Sequence, residues 1–303
     1  MNRRTFNSSM LGLLALPGVL DSACAAPTSM TDEERLVVMP LLNSPEVFLV
    51  PPARPHCFVR HLSLEGFACK NWQVVSDAVQ GTWVTNHNWE WREDGTFACV
   101  GRAAAGVRYT LEMRPGTGLL DIRVTVKNLG TTTLQDLFGG MCVDIRRNVL
   151  MYDPALERAH VSANGGLVPM GHRQVAGSAH GVMSVFFLKG TPAEKRWIPE
   201  AWVAYGWGMS TIEVDSAVAA VVSTDSTWTV GVWFWPCQMV TGNSRLPWYG
   251  CIHSNPSFGT LVPGKSASAV GRIYIAKGGL QEIWTRMEAD LRKAQRSELS
   301  LPT

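Results

Sequence analysis

The densest run of residues able to move protons and hold a polar ligand is Asn86-His87-Asn88-Trp89-Glu90-Trp91-Arg92. Read as a strand, it sends His87, Trp89 and Trp91 to one face and Asn88, Glu90 and Arg92 to the other. An imidazole titrates near neutrality, so His87 beside indole platforms can serve as general acid or base. The plainer alternative is a surface strand on which Glu90 pairs with Arg92 before the Asp94-Gly95 turn. A second concentration begins at Asn243 and Arg245, continues through Trp248 and Tyr249, and runs into residues 250–259, GCIHSNPSFG. That segment reads as a loop bearing His253 and Asn255, and loops on a rigid scaffold commonly carry a site. Arg245 can clamp a carboxylate, such as that of a uronic acid, through two parallel hydrogen bonds. Alternatively, the loop is merely capped by its own Asn and Ser side chains.

A third group, Cys142, Asp144 and Arg146, alternates onto one face of a strand. Asp144 and Arg146 act in a site or form a structural ion pair at the strand end. His56 and His61 flank Cys57, but a spacing of five suits no helical ligand pair and their strand parity is opposite. No C-x-x-C occurs, so no metal site is assigned from spacing, and the cofactor stays unknown. His160, His172 and His180 read as surface or loop residues. Nucleophile-elbow, Walker, dinucleotide-fingerprint and H-E-x-x-H motifs are absent, which removes the anchors of serine hydrolases, NTPases, Rossmann oxidoreductases and zincins.

Tryptophan is abundant, 12 residues against 5 Tyr and 10 Phe. A flat apolar indole with one donor suits the C–H face and polar edge of a sugar, although a broad core also consumes such rings. More than half are expected inside. The clusters to weigh are Trp89/Trp91, Trp202/Trp207, Trp233/Trp235 and Trp248/Tyr249.

These residues need a scaffold, and 303 residues with 46% hydrophobic and 17% charged composition can form one. Length alone suggests about two domains, yet one large β-sandwich can fill roughly 200–250 residues. From residue 46 to 278 short apolar or alternating runs are separated by Gly, Pro, Asn and Asp, with clean alternation in Leu120-Asp121-Ile122-Arg123-Val124-Thr125-Val126. That pattern predicts an all-β chain, a large antiparallel β-sandwich. Leu280, Ile283, Trp284, Met287 and Leu291 form one helical stripe, so residues 279–295 are expected as a C-terminal amphipathic helix packed outside the sandwich. Residues 26–45 read as a lead-in and 296–303 as a tail.

Residues 1–26, MNRRTFNSSMLGLLALPGVLDSACAA, read as an export signal: paired Arg3 and Arg4, a short apolar stretch and an Ala23-Cys24-Ala25 cleavage pattern after which 1–25 would be removed. The pair before Thr5-Phe6 fits a twin-arginine signal, and the expected location is periplasmic or secreted. Later runs are too short for a membrane span. The six other cysteines permit up to three disulfides or buried thiols. A net charge of +2 is too balanced for a duplex nucleic-acid binder.

Two segments resemble the galactose-mutarotase-like β-sandwich superfamily, which includes aldose epimerases and domains of polysaccharide lyases and glycosidases. Residues 120–144, LDIRVTVKNLGTTTLQDLFGGMCVD, are similar to its strand, V-x-N turn and second strand entering the sugar cleft; residues 261–275, LVPGKSASAVGRIYI, are similar to its closing turn and strand. The resemblance implies that fold and carbohydrate binding. It does not extend to the epimerase reaction, because Gly139-Gly140-Met141-Cys142 stands where the catalytic His would be.

The expected function is an exported carbohydrate-active enzyme with lyase or glycoside hydrolase chemistry on a glycan. His87 or His253 would supply the acid/base, with Asp144 or Glu90 assisting. Arg245, Arg146 and Asn243 would hold polar groups, and Trp89, Trp248 and Tyr249 would line the sugar. The alternatives are a non-catalytic glycan-binding module and a metal enzyme loaded before export.

Overall fold

The structure, a computed structural model, describes residues 35–41, 44–71, 76–77, 88–103, 106–171, 183–244 and 250–298. Residues Thr31–Thr303 group as one compact unit. Residues 1–26, expected as an export signal, and His87, Arg245, Trp248, Tyr249, His172 and His180 lie outside the described residues. In chain order the strands are β1 (Val37–Pro40), β2 (Glu46–Val50), β3 (Val59–Ala68), β4 (Ser76–Asp77), β5 (Trp89–Trp91), β6 (Phe97–Ala103), β7 (Val107–Gly116), β8 (Leu119–Asn128) and β9 (Leu134–Asp144). They continue with β10 (Ala159–Ala163), β11 (Gly166–Pro169), β12 (Met183–Phe186), β13 (Gly208–Met209), β14 (Val218–Val222), β15 (Trp228–Trp235), β16 (Cys237–Asn243), β17 (Cys251–Leu261) and β18 (Ser266–Lys277). Two α-helices are described, α1 (Glu200–Tyr205) and α2 (Leu280–Gln295).

The strands make two nine-stranded sheets. The first runs β1-β2-β3-β9-β17-β16-β12-β13, with β4 on β3; the second runs β11-β10-β14-β15-β18-β8-β7-β6-β5. Alternation along β7 explains the layering, since Val107, Tyr109, Leu111 and Met113 are buried and the residues between them less so. They join Ile122, Val124 and Val126 of β8, facing Val47, Leu49, Val59, Met141, Val143 and Ile252 of the first sheet. Burying each such side chain contributes about 1.5–3 kcal/mol. The result is the expected two-sheet β-sandwich.

Asn128 locks the two crossings between the sheets. β8 belongs to the second sheet and β9 to the first; β17 belongs to the first and β18 to the second. The buried Asn128 amide donates to Thr132 O and Leu261 O, both at 2.9 Å, and its Oδ1 accepts from Gly130 N at 2.9 Å. Its backbone completes the knot, with Asn128 N donating to Lys265 O at 3.0 Å and Gly264 N donating to Asn128 O at 2.8 Å. The two segments that carried the superfamily resemblance therefore meet at one side chain.

Helix α2 covers the outer face of the second sheet, as its stripe predicted. Ile283, Trp284, Met287 and Leu291 press on Val218, Ala220, Trp233 and Tyr274. Close approach depends on Gly231, where a Cβ would stand 2.3 Å from Met287 Sδ. A buried polar network ties the helix down. Arg272 reaches Asp121 Oδ1 (2.7 Å from Nε) and Asp290 Oδ2 (2.6 Å from Nη1), and the Tyr274 hydroxyl donates to Asp290 at 2.7 Å. Burial works against the Asp290 charge, but the Tyr274 hydroxyl and the Arg272 guanidinium outweigh it and hold the carboxyl below its ordinary value.

Three segments differ from expectation. Residues 250–259 are not a loop but most of β17, an eleven-residue strand between β9 and β16. Its Ser, Asn and Pro residues look like turn formers, but two neighbouring strands satisfy the backbone. Pro256 pairs with Cys237 beside a register shift, where its missing N–H interrupts least. Val37–Pro40, within the lead-in, pairs with β2 as an edge strand. Helix α1 was unforeseen, because six residues show too little periodicity; Gly206, at φ 106°, closes it in the left-handed region. The six described cysteines outside residue 24 form no disulfide. Among the described residues no helix is long and apolar enough to cross a membrane.

Asn128→Ala leaves two carbonyls and one N–H without their buried partner and is expected to cost about 3 kcal/mol of unfolding free energy, read by urea denaturation. Asp290→Asn is expected to cost roughly 3 kcal/mol near neutral pH. An aspartate with a depressed native pKa contributes stability above its unfolded value, near 3.9, and loses it as pH falls through the native value. The stability gap between wild type and Asp290→Asn should therefore close as pH drops below about 4, measured by thermal unfolding across pH; a constant gap would refute the ion-pair account.

Candidate functional site

The first sheet turns one face to the core and the other outward, and register decides what the outer face carries. Met141 and Val143 of β9, Ile252 of β17 and Val240 of β16 point into the core, so their neighbours point outward. One outward row runs Arg60, Asp144, Cys251 and Asn243 across β3, β9, β17 and β16; the next runs Cys142, His253, Thr241 and Val185 across β9, β17, β16 and β12. Directly opposed residues in such rows have Cβ atoms about 5 Å apart, so each row is a continuous line of side chains.

His253 is the centre of the second row and is 4% exposed. Its Nδ1 lies 2.8 Å from Thr241 Oγ1 and 3.3 Å from Thr241 O. Thr241 therefore holds the Nδ1 edge of the ring through its hydroxyl, at the shorter distance, and through its carbonyl. Asn255, two residues on, donates to Met239 O at 3.3 Å and to Thr241 Oγ1 at 3.4 Å, bracing the same hydroxyl. Cys142 and Cys251 are 6% and 4% exposed, and their sulfurs lie with a His253 ring nitrogen within 4.8 Å of one another.

The first row is electrostatic. Asp144 accepts from Arg146 Nε at 2.9 Å and Arg146 N at 3.1 Å, and lies 3.8 Å from Arg60 Nη1. Arg60 makes a fork to Glu46, at 2.7 and 2.6 Å, and Glu46 holds its guanidinium more firmly charged. Two outward carboxylates are thus linked through one arginine.

An aromatic wall stands beside His253. The Trp207 ring lies edge-on at 6.3 Å between centroids, Trp202 is 5.4 Å from Trp207, and Phe138 of β9 is 5.7 Å from Trp202. Helix α1 and its Gly206 cap put Trp202 and Trp207 there, and both remain half-buried. Behind the sheet, His61 faces the core. Its Nδ1 donates to Cys142 O at 2.9 Å, its Nε2 has no partner among the described residues, and burial drives its pKa down to about 4, so the ring is neutral.

The outer face therefore gathers Asp144, Arg146, Asn243 and His253 from the expected set. Trp89 and Glu90 lie elsewhere, on edge strand β5 of the second sheet. Trp89 packs on Phe97 at 5.3 Å and donates to Ser44 O at 3.0 Å; Glu90 is exposed, and Arg92 pairs with Glu112 at 2.7 Å rather than with Glu90. Trp233 is sealed under α2. Sequence reasoning missed Cys251, Thr241, Arg60 and Glu46. The legible signal was the alternation Cys251-x-His253-x-Asn255, which puts all three on one face once the segment is read as a strand. Pairing partners such as Thr241 and Glu46 follow only from register.

Arg60→Met strands Glu46 and weakens the hold on Asp144, and is expected to cost about 2 kcal/mol. The added Glu46→Gln change should recover part of that, which a double-mutant cycle of denaturation midpoints checks.

No protein-family model and no curated protein sequence matches the chain. Solved structures similar in fold include a galactose mutarotase-like protein from Lactobacillus casei, 9% identical over 80% of this chain and 100% of that one, with TM-score 0.45. A galactose mutarotase related enzyme from Lactobacillus acidophilus is 9% identical over 81% and 98%, with TM-score 0.42. A GH36 alpha-galactosidase from Geobacillus stearothermophilus is 14% identical over 71% of this chain and 30% of its own length, with TM-score 0.37.

Proposed function

We propose that the protein is an exported carbohydrate-active enzyme that acts on a glycan at the outer face of the first sheet. The observation that carries this reading is the placement of His253 against Trp207, in the same field as Asp144, Arg146 and Asn243. Half-buried indoles offer a face for sugar C–H groups, while Asn and Arg side chains suit hydroxyls and an acidic substituent. His253 or His87 supplies the acid/base function, Arg146 or Arg245 neutralises an acidic sugar, and Trp248 and Tyr249, outside the described residues, are further candidates to contact the sugar. The carboxylates Glu46 and Asp144 are engaged by Arg60 and Arg146. Carboxylates so committed serve poorly as the proton-donating pair of a hydrolase, which favours elimination, the lyase chemistry, over hydrolysis. The signal-like residues 1–26 support a periplasmic or secreted location.

Incubation of the full chain with neutral and uronic-acid glycans is expected to give unsaturated products by absorbance and mass. His87→Ala or His253→Ala should lower that rate at least a hundredfold. Turnover unaffected by either change would overturn the acid/base assignment. The near-complete burial of His253 favours a second reading, glycan binding without turnover. It predicts a tryptophan fluorescence shift with sugar, abolished in Trp207→Ala, and no product.

A further inference from the structure

We propose that Cys142, Cys251 and His253 form a binding site for a thiolate-seeking transition-metal ion of the zinc class. The inference goes beyond the glycan reading and does not rest on it.

Three ligand-type side chains from two adjacent strands meet at one point. Cys142 opposes His253 across β9 and β17, and Cys251 lies two residues before His253, on the same face. Their ligand atoms lie within 4.8 Å of one another, and all three residues are buried. Tetrahedral zinc with sulfur at about 2.3 Å and nitrogen at about 2.0 Å needs ligand atoms roughly 3.5 Å apart.

The imidazole is prepared for this role. Metal-bound histidines usually donate their other ring N–H to a carbonyl or carboxylate, which fixes the tautomer and aims the lone pair. Here Thr241 engages Nδ1 through its hydroxyl at 2.8 Å and its carbonyl at 3.3 Å, and Asn255 braces the hydroxyl.

A disulfide explains the pair less well. Cys142 and Cys251 are diagonal across the ladder, where Cβ atoms stand well beyond the roughly 4 Å that a disulfide requires. Two sulfurs and one nitrogen select zinc, copper(I) or cobalt(II) over calcium or magnesium. Three protein ligands leave a fourth position for water or substrate, the pattern of catalytic rather than structural zinc. With metal bound, His253 is a ligand, and the acid/base role in glycan chemistry passes to His87.

The test is cobalt(II) titration of the reduced full-length chain, with metal content measured on protein grown in zinc-supplemented medium. The expected result is one metal per chain and a near-ultraviolet thiolate-to-cobalt charge-transfer band. Thr241→Val should weaken cobalt binding by about tenfold to a hundredfold. Cys142→Ser, Cys251→Ser and His253→Gln should weaken it more, while Cys237→Ala should leave it unchanged. A folded chain without the band, or a band that survives in both serine variants, would overturn the proposal. Alkylation mapped by mass spectrometry needs no variant: zinc is expected to protect Cys142 and Cys251 and spare no other thiol, and equal labelling with and without zinc would also overturn it. These readouts are independent of product formation, so failure here leaves the glycan reading standing, and the reverse.

Discussion

One amide side chain sets where the two sheets exchange strands. Asn128 binds the turn after β8, the end of β17 and the start of the approach to β18 in a single buried knot. The strands that leave this knot on the first sheet, β9 and β17, are the two that bring Cys142, Asp144, Cys251 and His253 side by side. A one-residue slip in either would turn its outward residues to the core. Position in the outer field is thus decided at the far end of the same strands, by hydrogen bonds that no apolar residue can replace.

The two outer faces are treated differently. The second sheet is roofed by α2 and closed with an Arg-Asp-Tyr network, so Trp233 and Tyr274 become structural. The first sheet carries instead a half-buried aromatic wall and two rows of polar side chains. Both faces hold buried ionisable groups; on the first they stand beside Cys142, Cys251 and His253, next to the half-buried Trp202 and Trp207.

How much of this was legible depends on the range of the interaction. β8 was readable because its alternation is local and strict, and α2 because five apolar residues share one stripe. The Asp144–Arg146 pair was readable for the same reason, being two residues apart. β17 was misread as a loop, because Ser, Asn and Pro speak for turns until flanking strands satisfy the backbone. The role of Thr241 in holding His253, and of Arg60 in joining Glu46 to Asp144, depends on pairings 12 to 14 residues away or across sheet register, which composition does not encode. Trp202 and Trp207 looked no different from the core tryptophans, since nothing local distinguishes a wall from a filling.

That wall has a further meaning. Helix α1 has six residues and no side-chain cap, too short to persist by itself. Its Trp202 packs on Phe138, and Trp207, two residues beyond the helix, lies edge-on to His253. The segment is held from both sides: its rings pack on Phe138 and beside His253, and directly after Trp207 the chain pairs Gly208 and Met209 with β12, so the indoles bordering the sulfur–imidazole corner are fixed by the same sheet that carries it.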